Sequence, residues 1–336
     1  MLVLIIIILA TAFILYTLLG GADFGAGIIE TFAGRGQQST ISKAIAPVWE
    51  ANHVWLILAV VILFTGFPAV YSSLSLVLHI PLLLVLIGII FRGSAFTFRY
   101  YDVKKDHTHK YFTALFKISS FITPIFLGMT LGALIFGAID FNPAAGFYAQ
   151  FVAPWLNLFC FAMRLFSTTL FAYIAAVFLI GETKDEPEFS KYRRIAKRAA
   201  LCTIIMGLLV FVIAELEHHH LLRQFLRSPI SVSCLIIAGI LIPFIFKFIN
   251  SRQNTFLRAA IGLQVTAILI GWFAIQFPVL IKVKNGEDLT FFNTQAPAST
   301  QLQLLIALIV GLIVIIPAFV YLFRVFKKTE APAGRF

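Results

Sequence analysis

Nine apolar runs, each long enough to cross a membrane, follow one another along the sequence with short polar segments between them. A helix needs about 20 apolar residues to span a hydrocarbon core about 30 Å thick, and in lipid only helices and closed barrels satisfy every backbone polar group. We therefore expect an all-α polytopic membrane protein in which residues 1–336 form a single transmembrane domain. The predicted helices cover residues 2–20, 50–71, 74–91, 112–139, 155–180, 199–217, 230–249, 256–281 and 302–326.

The composition supports a membrane protein and excludes several other classes. Hydrophobic residues make up 60% of the 336 residues and charged residues 12%, whereas soluble domains carry about 25% charged residues. A soluble enzyme of this composition would expose too much apolar surface, and a disordered chain or a secreted disulfide scaffold is excluded as well. The net charge of +11 does not indicate a nucleic-acid partner, because the basic residues lie in short loops between apolar runs.

The distribution of basic residues predicts the orientation in the membrane. Of the 26 Lys and Arg residues, 20 lie in or beside the odd-numbered loops and the C-terminal tail, and four lie in the even-numbered loops. Loops rich in Lys and Arg stay in the cytoplasm. We therefore expect the N-terminus outside and the C-terminus in the cytoplasm.

Three acidic residues lie in or beside the first two apolar runs, where burying a charge is costly. Asp23 is expected to close the first helix, Glu30 to follow in the next loop, and Glu50 to open the second helix, all toward the cytoplasmic side. An acid at a helix start has a structural explanation, because it complements the helix dipole and caps free N–H groups. The competing interpretation is a proton carrier at a water-accessible entrance. The residues alone leave both interpretations of Glu50 open.

Acids and histidines recur at Glu-x-x-His spacing, which holds di-iron sites in some four-helix bundles. The pattern occurs at Glu50 with His53, at Glu215 with His218 and at Glu217 with His220. The predicted topology separates the first pair from the others by the thickness of the membrane, so we expect no metal site. His79 is a candidate haem ligand without a second axial partner, and we expect this chain to hold no haem alone.

Several longer motifs occur in order along the chain. The most specific is Ile45-Ala46-Pro47-x-Trp49-Glu50-x-Asn52-x-x-Trp55-Leu56. The others are Gly21-Ala22-Asp23-Phe24-Gly25-Ala26-Gly27, Phe67-Pro68-x-x-Tyr71, Phe91-Arg92 through Phe98-Arg99, Asp288-Leu289-Thr290 with Asn293, and Pro317 to Tyr321. Together they resemble subunit II of the cytochrome bd-type quinol oxidases over the whole chain.

Two departures from the family pattern bear on function. The family often has an acid three residues before Asp23, where this chain has Gly20, so any role of that acid is absent here. The family also often has Asp-Gly after the tryptophan, where this chain has Glu50-Ala51. The second departure keeps the carboxylate on a longer side chain, so a proton role survives.

The resemblance implies two four-helix bundles plus one peripheral helix, paired pseudo-symmetrically with a haem-bearing subunit I. In that family subunit I holds haems b and d and the site of quinol oxidation. The complex ends a respiratory chain by reducing dioxygen to water with protons from the cytoplasm. The resemblance further implies a multi-pass protein of the prokaryotic cell (inner) membrane, a small single-helix accessory subunit, and lipid or quinone as a partner.

For this chain the resemblance implies a structural role and part of the proton pathway, with no catalytic residue of its own. Glu50 and Asp23 are the candidate proton carriers. Trp49 and Trp55 would limit water access, and Asn52 and His53 would hydrogen-bond a relayed water. The supporting polar and aromatic residues are these four together with Arg92 and Arg99.

Two alternatives from other classes stay open at this point. A secondary transporter would show inverted repeats and broken helices with polar groups near the midplane. Pro124 and Pro243 interrupt apolar runs, but no polar cluster accompanies them. A purely structural membrane scaffold differs from the proton-conducting subunit only in whether Glu50 conducts.

The predicted topology can be tested with reporter fusions after Gly286 and after Lys328. The first should report an external location and the second a cytoplasmic one, because the basic loops alternate across nine spans. A shared location for the two reporters would contradict the nine-span topology.

Overall fold

The computed structural model describes residues 1–34, 38–101, 108–136, 139–141, 146–183, 185–284 and 286–329. Nine helices in these ranges are long and apolar enough to cross a membrane, which confirms the predicted all-α polytopic fold. The helices are α1 (Leu2–Ala33), α2 (Gln38–Gly66), α3 (Pro68–Val77), α4 (His79–Tyr101), α5 (Thr108–Phe136), α6 (Gly146–Phe151), α7 (Leu158–Ile180), α8 (Glu186–Leu216), α9 (Leu221–Arg227), α10 (Pro229–Ser251), α11 (Asn254–Gln276) and α12 (Ala298–Thr329). Two short strands, β1 (Val279–Ile281) and β2 (Leu289–Thr290), pair antiparallel before α12.

The spanning helices pack as two groups. Helices α1, α2, α4 and α5 form a first bundle, and α7, α8, α10 and α11 form a second. Both α1 and α5 pack against α7 and so join the bundles, while α12 lies at the periphery, mainly against α2. Many large apolar side chains remain exposed on the outer faces, among them Ile57, Phe64 and Ile240. Such faces suit contact with lipid or with another membrane chain.

The glycine and aspartate motif is helical and does not end the first helix. Helix α1 continues to Ala33, so the expectation that Asp23 closes it and Glu30 lies in a loop is wrong. The physical reason is close packing: a Cβ atom on Gly25 would lie 1.9 Å from the carbonyl oxygen of Phe171 in α7. Contact between the two backbones holds the glycine-rich segment in a helix that isolated propensity would disfavour.

Helix α2 begins at Gln38, twelve residues earlier than predicted. Glu50 therefore lies inside the helix, about three turns from its start at 3.6 residues per turn. Its backbone N–H group is already part of the helical ladder, and the free N–H groups that an acid can cap lie only in the first turn. The interpretation of Glu50 as a helix cap is wrong.

The connection after α2 also differs from the expected loop at Ser72 and Ser73. Helix α2 ends at Gly66, and Phe67 is non-helical because the following proline disfavours helical geometry in the residue before it. Pro68 then starts α3, in which both serines are helical, and α4 follows at His79. Helix α11 likewise ends at Gln276, short of the predicted residue 281, and the chain continues through Pro278 into β1.

The close contact between α1 and α7 predicts an asymmetry between two glycines. Gly25→Ala should lower the stability of the chain by about 1–3 kcal/mol or more, because its methyl group overlaps the α7 backbone. Gly239→Ala in α10 is the matched control, since a Cβ there meets nothing within 4 Å and alanine favours a helix. Thermal unfolding of the purified protein in detergent measures both. Equal melting temperatures for the two variants would contradict this account of the α1–α7 contact.

Candidate functional site

One face of α1 carries three buried titratable side chains at seven-residue spacing, namely Tyr16, Asp23 and Glu30. Seven residues are about two turns, or about 10.5 Å along a helix, so the three lie in one row. Helix α4 carries two buried arginines, Arg92 and Arg99, at the same spacing. Each acid on α1 meets the arginine 69 residues later in the chain, which means that α1 and α4 run in the same direction.

The Asp23–Arg92 pair lies in the interior of the first bundle, and both side chains are fully buried. The guanidinium forms an ion pair with the Asp23 carboxylate, and its Nη2 also donates to the Asp23 backbone carbonyl at 2.8 Å. Asn52 of α2 donates from Nδ2 to the carboxylate Oδ2 at 3.3 Å. The pair and the amide therefore connect three helices at one point.

Three phenyl rings surround the Arg92 guanidinium. Its Cζ lies 5.4 Å from the ring centre of Phe24, 5.6 Å from that of Phe96 and 5.0 Å from that of Phe116. Aromatic faces attract a cation at such distances, and they also exclude water. The charge of Arg92 is thus stabilised by one carboxylate and by rings.

A second buried pair lies two turns further along the same helices. Arg99 Nη1 donates to both oxygens of Glu30, at 2.9 and 2.8 Å, and its Nη2 donates to the Ser42 hydroxyl at 2.7 Å. Lys117 of α5 places its ammonium 3.8 Å from Glu30, and its side chain is 31% exposed. Through Lys117 this pair approaches the surface, whereas the Asp23 pair does not.

The remaining predicted residues of α2 lie in two places, beside the Asp23–Arg92 pair and against α12. The ring of Trp49 lies 5.2 Å from that of Phe96, beside the Asp23–Arg92 pair. His53 is half-buried and within electrostatic reach of Arg92. Trp55 instead packs against Phe319 of α12 at 5.8 Å. The Glu50 side chain lies outside the described part of the structure. Only the position of this residue in α2 therefore bears on its predicted role.

The histidine run lies beyond the end of α8, outside the membrane-spanning helices. His220 Nδ1 lies 3.4 Å from Glu215, and burial raises the pKa of the Glu217 carboxyl. Burial is also the main cause that lowers the pKa of His219, followed by the nearby charge of Lys282. Across the described ranges, no group of three or more His, Cys, Asp or Glu side chains is arranged to hold a metal ion.

Comparison with known proteins now decides the family. Residues 1–326 match the family model described as cytochrome bd terminal oxidase subunit II. The chain belongs to this family. It is therefore a subunit of an oxidoreductase complex, a terminal respiratory oxidase, and neither a transporter nor a stand-alone scaffold is favoured.

Individual relatives agree with the family assignment. Cytochrome bd ubiquinol oxidase subunit 2 of Bacillus subtilis (strain 168) is 25% identical over 330 residues, covering 96% of this chain and 94% of the relative. Cytochrome bd-I ubiquinol oxidase subunit 2 of Escherichia coli (strain K12) is 29% identical over 190 residues, covering 55% and 49%. The solved structure of bd oxidase from Geobacillus thermodenitrificans has the same fold, with a TM-score of 0.77, 22% identity and coverage of 97% and 98%.

In this subunit II, the structure shows pairings between side chains that the sequence did not predict. Asp23, Asn52, Arg92 and Arg99 were named from motifs, but their pairing was not. A sequence signal was present, since Asp23 and Glu30 and then Arg92 and Arg99 repeat at the same seven-residue spacing. Tyr16 extends that spacing by one more step and was missed.

The buried Glu30–Arg99 pair should matter far more for stability than an exposed pair of similar chemistry. Glu30→Gln leaves a buried guanidinium without its carboxylate, which typically costs about 3–5 kcal/mol. Glu186→Gln is the control, because Glu186 pairs with Arg252 at an exposed helix end and such pairs contribute about 0–1 kcal/mol. Thermal unfolding in detergent should show a large loss for the first variant and little for the second. Similar losses would show that burial does not set the strength of the α1–α4 connection.

Proposed function

We propose that this subunit II supports a haem-bearing subunit I of a quinol-oxidising complex and provides the first part of the proton path from the cytoplasm to the oxygen-reducing site. The observation that carries the proposal is Asp23, a carboxylate with no exposed surface on a membrane-crossing helix. Ionisable groups at such positions are costly and mark proton or ion pathways. The reaction that would consume the protons is the reduction of dioxygen to water by the oxidase complex.

The haems are proposed to belong to subunit I, because neither His79 nor the lining of two described cavities fits them. Haem iron needs an axial His, Cys, Met or Tyr that faces a cavity. His79 places Nδ1 2.8 Å from the carbonyl of Leu76, in its own segment of the chain. A cavity of about 720 Å³ between α1, α2 and α12 has no His, Cys, Met or Tyr in its lining. A smaller one of about 250 Å³, inside the second bundle, is lined by one Cys and one Tyr, and that Tyr173 hydroxyl already donates to Gln264.

Glu50 is proposed as the carrier that receives protons before Asp23. It lies on α2, the helix whose Asn52 contacts the Asp23 carboxylate directly. Positions 50 and 52 face different sides of that helix, so the transfer from Glu50 to Asp23 is proposed to pass over held water. A carboxyl group both accepts and releases a proton, whereas an amide of the same shape does neither. Trp49 and the rings around Arg92 limit the entry of water from the sides, so a proton moving through this part of the bundle needs side chains or held water.

Partners are proposed from the exposed faces of the first bundle. The helical repeat puts positions 50, 53, 57 and 61 on one face of α2, and Ile57 and Val61 on that face are exposed. A face that combines an acid and a histidine with apolar residues suits a protein neighbour better than lipid, so we expect subunit I to cover it. The cavity of about 720 Å³ between α1, α2 and α12, which is apolar and has Arg324 in its lining, suits the chain of a lipid or quinone.

The proton role is tested by Glu50→Gln, Glu50→Asp and Asp23→Asn in the two-subunit complex. The two amide variants should lower quinol oxidase turnover by at least about tenfold, as expected when a group that transfers protons is lost. Haem content and subunit assembly should stay unchanged in the two Glu50 variants, and Glu50→Asp should retain most of the turnover. Asp23→Asn leaves the buried Arg92 guanidinium without its carboxylate, which typically costs about 3–5 kcal/mol, so the turnover of this variant is measured per assembled haem.

Glu182→Gln is the matched control for these variants. Glu182 pairs with Arg258 at the end of α7, away from the Asp23–Arg92 pair, so this change should not alter turnover. If Glu50→Gln and Asp23→Asn assemble with haem and turn over normally, the chain is a structural subunit only.

A further inference from the structure

Helix α12 packs closely against the rest of the chain along its first part only. Gln301, Leu304, Leu305 and Leu308 are buried, and a Cβ atom on Gly66 at the end of α2 would lie 3.1 Å from the Leu304 side chain. After Leu308, none of the α12 side chains that the structure describes is buried. The first part of the helix therefore fixes its position, and the second part leaves space beside it. The cavity of about 720 Å³ between α1, α2 and α12 lies in this space.

The lining of this cavity suits a hydrocarbon chain. Apolar side chains of all three helices contribute to it, among them Leu15, Trp55 and Ile316. Thr11 carries the one hydroxyl among the described lining residues, and this hydroxyl already donates to the Ile7 carbonyl at 2.8 Å. The wall of the cavity thus has no hydroxyl that needs a polar ligand.

The length of the cavity matches one leaflet of a bilayer. Its lining on α12 runs from Leu312 to Arg324, and these twelve residues correspond to about 18 Å at 1.5 Å per residue. Half of the hydrocarbon core is about 15 Å thick. Arg324 lies two residues beyond the apolar span of α12, which ends at Leu322. The cavity therefore reaches from the middle of the membrane to one of its surfaces, which is the depth that one acyl chain occupies.

The surface end of the cavity is basic. Arg324 lies four residues after Val320 on the lining face of α12, and its exposed side chain forms no ion pair with an acidic residue in the described part of the chain. Lys327 and Lys328 follow at three and four residues, spacings that make positions neighbours on a helix surface. The same face of α12 thus changes from apolar to cationic where lipid headgroups begin.

We propose that this cavity binds an acyl chain of an anionic phospholipid whose phosphate pairs with the basic end of α12, formed by Arg324, Lys327 and Lys328. The proposal rests on the proposed function, which gives the cavity to a lipid or a quinone, and it names one of the two. The headgroup of a quinone is uncharged and would leave three cations without a counter-ion. The predicted topology places the basic end in the cytoplasmic leaflet, whose anionic lipids attract Lys and Arg beside a membrane span.

A protein partner of α12 has a different surface available. Val310, Val314 and Tyr321 are exposed on the other side of the helix, and none of them lines the cavity. A neighbouring helix can pack on that outer side without entering the space toward α1. A flexible acyl chain, by contrast, adapts to a cleft between the side chains of three helices.

The first experiment measures thermal unfolding of the complete complex in detergent after its native lipids have been washed out. Dioleoyl phosphatidylglycerol, dioleoyl phosphatidylcholine or a ubiquinone is then added. A ligand that binds only the folded protein raises its melting temperature, and we expect phosphatidylglycerol to raise it by about 2–4 °C. Phosphatidylcholine and the ubiquinone should give less than half of this increase, because they supply the chain without the net negative charge.

Charge variants test the basic end of α12. Combining Arg324→Gln, Lys327→Gln and Lys328→Gln should abolish the increase given by phosphatidylglycerol. The matched control combines Lys191→Gln, Arg194→Gln and Arg198→Gln in α8.

The control removes the same number of charges on the same predicted side of the membrane, and none of its three residues lines the cavity. It should keep the full increase. Equal losses in the two triple variants would show nonspecific attraction of anionic lipid and would overturn the proposal.

A second pair of variants tests the cavity without changing charge. Ile316→Trp fills the cavity, whereas Val314→Trp places the same ring on the other side of α12. Native mass spectrometry of the complex, purified with mild detergent, should show one retained anionic phospholipid in the wild type and in Val314→Trp. The same lipid should be absent from Ile316→Trp. Equal retention in both variants would overturn the cavity as its site. If the α12 charge variant does not assemble, this pair alone decides.

The outcomes separate this proposal from the proposed function. If the ubiquinone raises the melting temperature and phosphatidylglycerol does not, the phospholipid is overturned and the cavity remains a quinone site. If neither ligand has an effect, both assignments of the cavity fail. The proton role does not depend on these results, because it is measured by the turnover of Glu50→Gln and Asp23→Asn.

Discussion

The high cost of an unpaired charge in a membrane interior determines how α1 and α4 are arranged. Two acids on α1 and two arginines on α4 have matching spacing, and each charge finds its counterpart. A shift of either helix by one turn would separate both pairs at once and leave four buried charges without partners. The ion pairs therefore fix the relative height and the direction of the two helices, which nonspecific apolar packing in lipid does not.

The glycine-rich segment of α1 serves the opposite face of the same helix. Gly21 and Gly25 face α7, where a side chain at Gly25 would overlap the Phe171 backbone. The helix that presents Asp23 and Glu30 to the first bundle is thus also the helix that closes against the second. Because α1 stays helical through Ala33, the acids are held inside the protein at fixed depth, which a loop would not do.

The apolar runs predicted the number and class of the spanning helices, because the thickness of the bilayer sets the length of a helix that crosses it. They did not predict where the helices begin and end. Gly20 to Gly27 looked like a helix end because glycine disfavours helices in isolation, and only the contact with α7 overrides that preference. Glu50 looked like a helix cap because residues 38 to 49 begin with a polar stretch and contain Pro47, so they did not read as part of the apolar run. The arginines of α4 were named from a motif, yet their partners depended on how two helices align.

Gly20 changes the charge balance around Asp23 relative to the family pattern described above. The family often carries an acid there, and in this fold such an acid would stand beside Asn52 and one turn from Asp23. Two carboxylates close to a single arginine resist ionising together, so one of them would hold a proton. Here one carboxylate faces one guanidinium, and the neighbouring Tyr16 and Asn52 offer hydrogen bonds but no charge. A phenol and an amide do not ionise near neutral pH. Between Tyr16 and Glu30, Asp23 is therefore the one side chain of α1 that can ionise near neutral pH.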